Sequence, residues 1–176
     1  MKIRRTQIRR ITEDLLNGQR VEGPPVNVEK ILHDMKIQLR IQPGPEDISG
    51  FLVKTGTQPA IIGVNSSHHR NRQRFTMAHE LGHMLLHDFT EVHVDRAFLV
   101  KLRNAESSKG EDWEEIEANL FAAELLMPKR FLERDLAETK TLDLHDEESL
   151  KRLAQHYAVS PQALTVRLGY LGFPIE

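Results

Sequence analysis

The chain has 176 residues, enough for one domain with a buried core, and its 39% hydrophobic and 28% charged content is that of an ordinary globular protein. A net charge of -2 excludes a protein built throughout to neutralise nucleic-acid phosphates. The absence of cysteine excludes disulfides, thiolate metal sites and cysteine nucleophiles, so any metal must be held by nitrogen and oxygen.

The first part of the chain has two helical patterns followed by three strand patterns. A helix is predicted over residues 3–17, where apolar residues recur on one face, and a second begins near Val28. Three strands are predicted next, the last of them apolar enough to be central in its sheet, at residues 36–42, 48–56 and 59–65. No window of about 18 apolar residues follows the basic N-terminus or occurs elsewhere, and we therefore expect a cytoplasmic protein.

Three histidines occupy the next helical segment, from about Arg72 to His87. His79 and His83 are four residues apart, so they lie about 6 Å apart on one helix face and can bind the same ion. Glu80 projects about 100° away, close enough to act on a water bound there, which is the His-Glu-x-x-His arrangement. His87 lies about 12 Å of helix rise from His79, too far to share one zinc ion, and is expected to end the helix.

A third protein ligand is expected on a later helix, which Pro128 stops. Glu117 is the predicted ligand, with Glu114 as the substitute, because small neighbouring residues let this helix approach Gly82 closely. Glu115 is assigned to a solvated helix face. An apolar stripe on the same helix is predicted to be core, and it comprises Trp113, Ile116, Leu120, Ala123 and Met127.

The C-terminal part is predicted to form two or three short helices, one of them capped by Ser160. Residues 149–172 have a helix-turn-helix outline, but the candidate recognition helix carries only Arg167 as a cation. A packing or substrate-docking hairpin is therefore favoured over direct nucleic-acid binding. The resulting prediction is an α+β fold with about three strands, divided into residues 1–135 and a helical segment, 136–176, packed on them.

Several features near the predicted site have two interpretations each. The basic run 68–74 either recognises an acidic part of a substrate or is a solvated approach to the helix. The polar loop 103–112 is either a lid or simply mobile, and the segment 91–102 fits strand and helix alike. The side chains eligible to stabilise an oxyanion, each more readily explained as structural or surface residues, are His145, His156 and Tyr157.

Two longer motifs extend this interpretation. "RFTMAHELGHMLLH" and "EIEANLFAAELLMP" occur in that order, after the strand "IIGVN" and before "LAQHYAVSPQALTVRLGYLGF". Together they resemble the ImmA/IrrE family of zinc metallopeptidases over roughly Val26 to Gly172. The resemblance implies a gluzincin-like core in which a small twisted sheet packs with zincin-like helices. It also implies zinc held by His79, His83 and Glu117, with Glu80 as the catalytic base.

The resemblance further implies a substrate. Members of the family cleave helix-turn-helix repressors of the XRE type and so derepress stress-response or mobile-element genes. We therefore expect an endopeptidase with a protein substrate. The alternative is a regulator that binds DNA or a partner and has a non-proteolytic metal site. Manganese or iron would suit two histidines and a carboxylate nearly as well as zinc.

Overall fold

The computed structural model describes residues 3–54, 59–87, 91–96, 111–138 and 147–173. These form an α+β fold, as the sequence predicts. The helices and strands of the described residues, in chain order, are α1 (Arg5–Gly18), α2 (Val28–Asp34), β1 (Gln38–Gln42), β2 (Ile48–Lys54), β3 (Ile61–Asn65), α3 (Arg70–Leu86), β4 (Glu91–Arg96), α4 (Glu111–Leu126), α5 (Lys129–Glu138), α6 (Glu147–Tyr157) and α7 (Pro161–Leu171).

The sheet has the strand order β1-β3-β2-β4. β1 pairs with β3 in parallel, whereas β2 pairs antiparallel with both β3 and β4. β3 therefore lies inside the sheet, which confirms the central position predicted from its apolar composition. The fourth strand comes from the segment 91–102, whose pattern fits strand and helix alike.

Helix α3 lies between the sheet and helix α4. It contacts β2 and β3 on one side and α4 on the other. Its residues from Thr76 to His83 are consequently all buried, and Met77 and Leu81 belong to the central hydrophobic core. The histidine motif is therefore held in the interior of the fold, where its side chains have fixed neighbours.

Gly82 marks the point where α3 and α4 approach each other most tightly. A Cβ atom at this position would lie 3.1 Å from Cβ of Phe121 and 3.2 Å from Cα of Ala118. The close approach predicted from the small residues is confirmed. It sets the distance between the histidine helix and the helix that carries the glutamates.

Replacing Gly82 with valine is expected to destabilise the fold. The new side chain would press on the α4 backbone, which cannot turn aside as a flexible side chain can, and overpacking of this kind costs about 1–3 kcal/mol. Thermal unfolding followed by circular dichroism measures the change. Gly18→Val is the matched control, because a Cβ at Gly18 meets nothing within 4 Å; equal melting temperatures for the two variants would contradict the tight contact.

Both C-terminal helices pack on the rest of the chain, α6 through the buried Tyr157 and α7 through Arg167. Arg167 on this helix is 2% exposed and forms two hydrogen bonds with Glu124 of α4, at 3.0 and 2.6 Å. Ser160 caps α7 by accepting a hydrogen bond from the Ala163 backbone, as predicted. Within the described residues, none of the helices combines the length and the apolar composition that crossing a bilayer requires.

Candidate metal centre

His79, His83 and Glu115 come together between α3 and α4. The two Nε2 atoms are 3.0 Å apart, and Glu115 places its carboxylate oxygens 3.7 Å from Nε2 of His79 and 3.3 Å from Nε2 of His83. Ligand atoms about 2.1 Å from a tetrahedral zinc ion are about 3.4 Å from one another. The donor set and its spacing therefore fit zinc, and these three residues supply three of its four tetrahedral ligands.

Asn119 fixes the orientation of His79. The Oδ1 atom of Asn119 lies 2.7 Å from Nδ1 of His79. Because an amide oxygen only accepts, Nδ1 carries the proton and Nε2 keeps the lone pair that a metal needs. Outer hydrogen bonds of this kind set the tautomer of a ligating histidine.

A longer chain of hydrogen bonds orients His83. Its Nδ1 lies 3.2 Å from Nδ1 of His87, and Nε2 of His87 lies 3.3 Å from Oε2 of Glu117. The carboxylate accepts from Nε2 of His87, and in that tautomer Nδ1 of His87 accepts from Nδ1 of His83. Nε2 of His83 then faces Glu115 and His79 with its lone pair.

Arg4 completes this chain at the start of α1. Its backbone N–H and its guanidinium both donate to Glu117, and the guanidinium also donates to the Leu86 carbonyl at the end of α3. Burial alone would raise the pKa of the Glu117 carboxyl, but the hydrogen bonds from Arg4 and His87 outweigh burial and lower this pKa to about 2. Glu117 is therefore ionised at neutral pH.

The structure does not bring Glu117 to the histidine pair, in contrast to the sequence prediction. Ala118 and Phe121 are the α4 residues that meet Gly82, and Glu115 lies three positions before Ala118, hence on the face of α4 that meets α3. Glu117 directly precedes Ala118 and therefore lies about 100° around the helix from it. There it faces α1, where Arg4 binds it. Glu114, the substitute, is exposed, and the expectation that Glu115 is solvated is wrong, because its side chain is only 13% exposed.

Glu80 is fully buried on α3. Both of its carboxylate oxygens are enclosed, and a Cβ atom on Gly50 of β2 would lie 3.4 Å from Oε1. The carboxylate therefore lies at the interface between α3 and the sheet. A carboxylate directly beside a ligating histidine is suited to proton transfer rather than ligation.

The other sequence candidates have different outcomes. His87 caps the C-terminus of α3, as predicted. Tyr157 is fully buried and donates to Asp135 at 2.7 Å, which makes it a structural residue.

Arg74, at the end of the basic run, is buried and donates to the carbonyls of Val26 and Ala158 rather than to solvent. His145 and the loop 103–110 lie outside the described residues.

An apolar groove of about 500 Å³ adjoins His79. The residues that line it include His79, Phe75, Ile116, Leu120, Val166 and Tyr170. The predicted core stripe of α4 is confirmed at Met127, which is fully buried, whereas Ile116 lines the groove and is 42% exposed. Helical periodicity identifies an apolar face but not what covers it.

The comparisons with known proteins give a family and a similar fold. The family model described as "IrrE N-terminal-like domain", a peptidase family, matches residues 33–169. The fold resembles a Mycobacterium tuberculosis transcriptional regulator with a TM-score of 0.61 at 13% identity, over 93% of this chain and 46% of that one. The chain thus spans about half the length of that regulator. A search of curated proteins returned no significant match.

Proposed function

The chain belongs to the IrrE N-terminal-like family of peptidases, and from this premise we propose that it is a zinc-dependent endopeptidase. The observation that carries the proposal is the cluster of His79, His83 and Glu115, whose ligand atoms all lie within 4.8 Å of one another. These three residues are the proposed metal ligands, and Glu80 is the proposed catalytic base. Two histidines and a carboxylate with an open fourth position are a donor set of zinc hydrolases.

The proposed roles of the protein groups follow from their positions. A zinc ion bound by these ligands would supply Lewis-acid polarisation of the scissile carbonyl and lower the pKa of a bound water. Glu80 takes the proton from the attacking water and passes it to the leaving amine. Asn119 and His87 hold the two histidine rings in the tautomers that leave Nε2 unprotonated.

The proposed substrate is a transcriptional repressor of the helix-turn-helix class. The resemblance to the ImmA/IrrE family supports this class, together with the match to the IrrE N-terminal-like family model. Cleavage of such a repressor would derepress the genes that it controls. Stress-response and mobile-element genes are the proposed targets.

Direct DNA binding is the competing function, and the contacts of α7 count against it. Arg167 is the single cation of the candidate recognition helix, and it is buried against Glu124. Specific and non-specific DNA binding both depend on cations that reach the phosphates. A helix whose cation is held inside the fold has no such contact to offer.

Removing the metal is expected to abolish cleavage of the substrate. The purified protein is incubated with helix-turn-helix repressors of its own organism, with and without EDTA, and mass spectrometry identifies the cleaved bonds. We expect cleavage at a defined bond, its loss in EDTA and its recovery on addition of zinc. If the protein still cleaves its substrate when metal analysis finds less than one ion per hundred chains, the metal-dependent mechanism is contradicted.

A further inference from the structure

We propose that the apolar groove binds the segment of the protein substrate next to the scissile bond, and that it selects clustered apolar side chains flanked by acidic residues. This inference rests on the proposed peptidase function for its role in catalysis. Binding in the groove itself depends only on the surface described below.

The groove meets the candidate metal centre at His79. His79 is among the residues that line it, and so is Asn119, which holds the His79 ring. A polypeptide with its scissile bond at the Nε2 atoms would therefore place neighbouring residues in the groove. The volume of about 500 Å³ lies within the range of roughly 300–1,000 Å³ for ligand sites.

The groove also concentrates apolar surface that the described part of the chain leaves uncovered. Of the five exposed large hydrophobic residues there, three lie in the groove: Ile116, Val166 at 54% and Tyr170 at 44%. Ile116 comes from α4, and the other two come from α7. Two helices thus present apolar side chains to the same space, which is the usual composition of a binding site for apolar groups.

Charge at the groove has one sign. Arg5, Arg72 and Arg167 line it, the last of them paired with Glu124, and no aspartate or glutamate is present in its lining among the described residues. The guanidinium carbon of Arg5 lies 4.9 Å from the ring centroid of Tyr170, so a cation stands directly at one wall. Electrostatic complementarity therefore favours acidic residues on either side of the apolar cluster in the bound segment.

The binding test uses the Glu80→Gln protein, so that peptides are not consumed. The probe is a fluorescein-labelled ten-residue peptide with two leucines and a phenylalanine at its centre and glutamates at its ends. We expect binding by fluorescence anisotropy, with an affinity about ten- to a hundredfold lower when serines replace the central residues. A peptide with lysines at its ends is expected to bind several-fold more weakly than the probe.

Protein variants locate the binding. Val166→Asp is expected to weaken probe binding at least about tenfold, whereas Thr165→Asp, which puts the same charge on the neighbouring exposed position outside the groove, leaves it unchanged. Equal affinities for the two variants, or for the leucine and serine peptides, would overturn the proposal. Two further results would overturn it. One is probe binding that appears only after residues 174–176 are removed; the other is a dimer in sedimentation that excludes the probe and that dissociates in the Val166→Asp variant.

Hydrolysis of the same peptides separates this inference from the proposed function. If the wild-type protein cleaves none of the peptides or repressors while the probe still binds, the peptidase function fails and the groove remains a binding site. If it cleaves leucine and serine peptides equally well, the peptidase function stands and the groove proposal fails. For the preferred substrate, Val166→Asp is expected to raise KM with little change in kcat.

Discussion

Glu80→Gln is expected to lower kcat for peptide hydrolysis by about 10²- to 10⁴-fold while the protein keeps its metal and its fold. A positioned general base contributes about this factor, and glutamine has nearly the same shape but cannot take up a proton from water. The side chain is fully buried between α3 and the sheet, so a near-isosteric change is the least disruptive one available. Steady-state kinetics and metal analysis by mass spectrometry measure the two effects together.

A matched control for Glu80→Gln is Glu114→Gln, which makes the same chemical change at an exposed glutamate. It is expected to leave both kcat and metal content within about twofold of the wild type, because exposed substitutions away from a site rarely matter. Loss of metal in Glu80→Gln would mean that the carboxylate is a ligand instead of a base. Full activity in Glu80→Gln would contradict its catalytic role altogether.

The sequence predicts local parts of the site well because they depend on the helix period alone. His79 and His83 share a face at a spacing of four, and the structure places their Nε2 atoms 3.0 Å apart. The close approach at Gly82 likewise follows from residue size. Both features require knowledge of a single helix or of a single contact, and no long-range arrangement is needed to predict them.

The third carboxylate could not be chosen on the same basis, because the choice depends on how α4 is rotated against α3. Glu115 shares a face with Ala118, which touches Gly82, and this spacing was the available signal. Glu117 is instead directed towards α1, where Arg4 binds it. That pairing joins residues 113 positions apart, and no periodic pattern predicts it.

Ile116, the exposed member of the α4 stripe, departs from the core prediction for a related reason. Periodicity shows that one face of a helix avoids water or binds something apolar, but it does not distinguish the two. Ile116 remains half exposed because α7 stands across a groove from it rather than against it. Incomplete burial of an otherwise regular stripe beside a candidate catalytic centre is what points to substrate binding.

Glu115→Ala and Glu117→Ala are expected to differ sharply in their effect on metal affinity. Glu115 approaches the Nε2 atoms of both histidines, so its removal deletes a proposed ligand and should weaken zinc binding by more than about 100-fold. Glu117 acts through His87 on the orientation of His83, and loss of such an outer partner costs roughly 10–100-fold. Competition with a chromogenic zinc chelator measures both affinities.

The conservative variants separate ligation from positioning. Glu117→Gln keeps an oxygen that can accept from His87, so it is expected to recover much of the affinity lost in Glu117→Ala. Glu115→Gln is expected to recover little, because a neutral amide is a poor zinc ligand. Arg4→Met leaves Glu117 without its guanidinium partner. It is therefore expected to lower zinc affinity as Glu117→Ala does. If Glu117→Ala instead lowers zinc affinity more than Glu115→Ala does, the ligand assignment reverts to the carboxylate that faces α1, and α4 must rotate to bring it to the histidines.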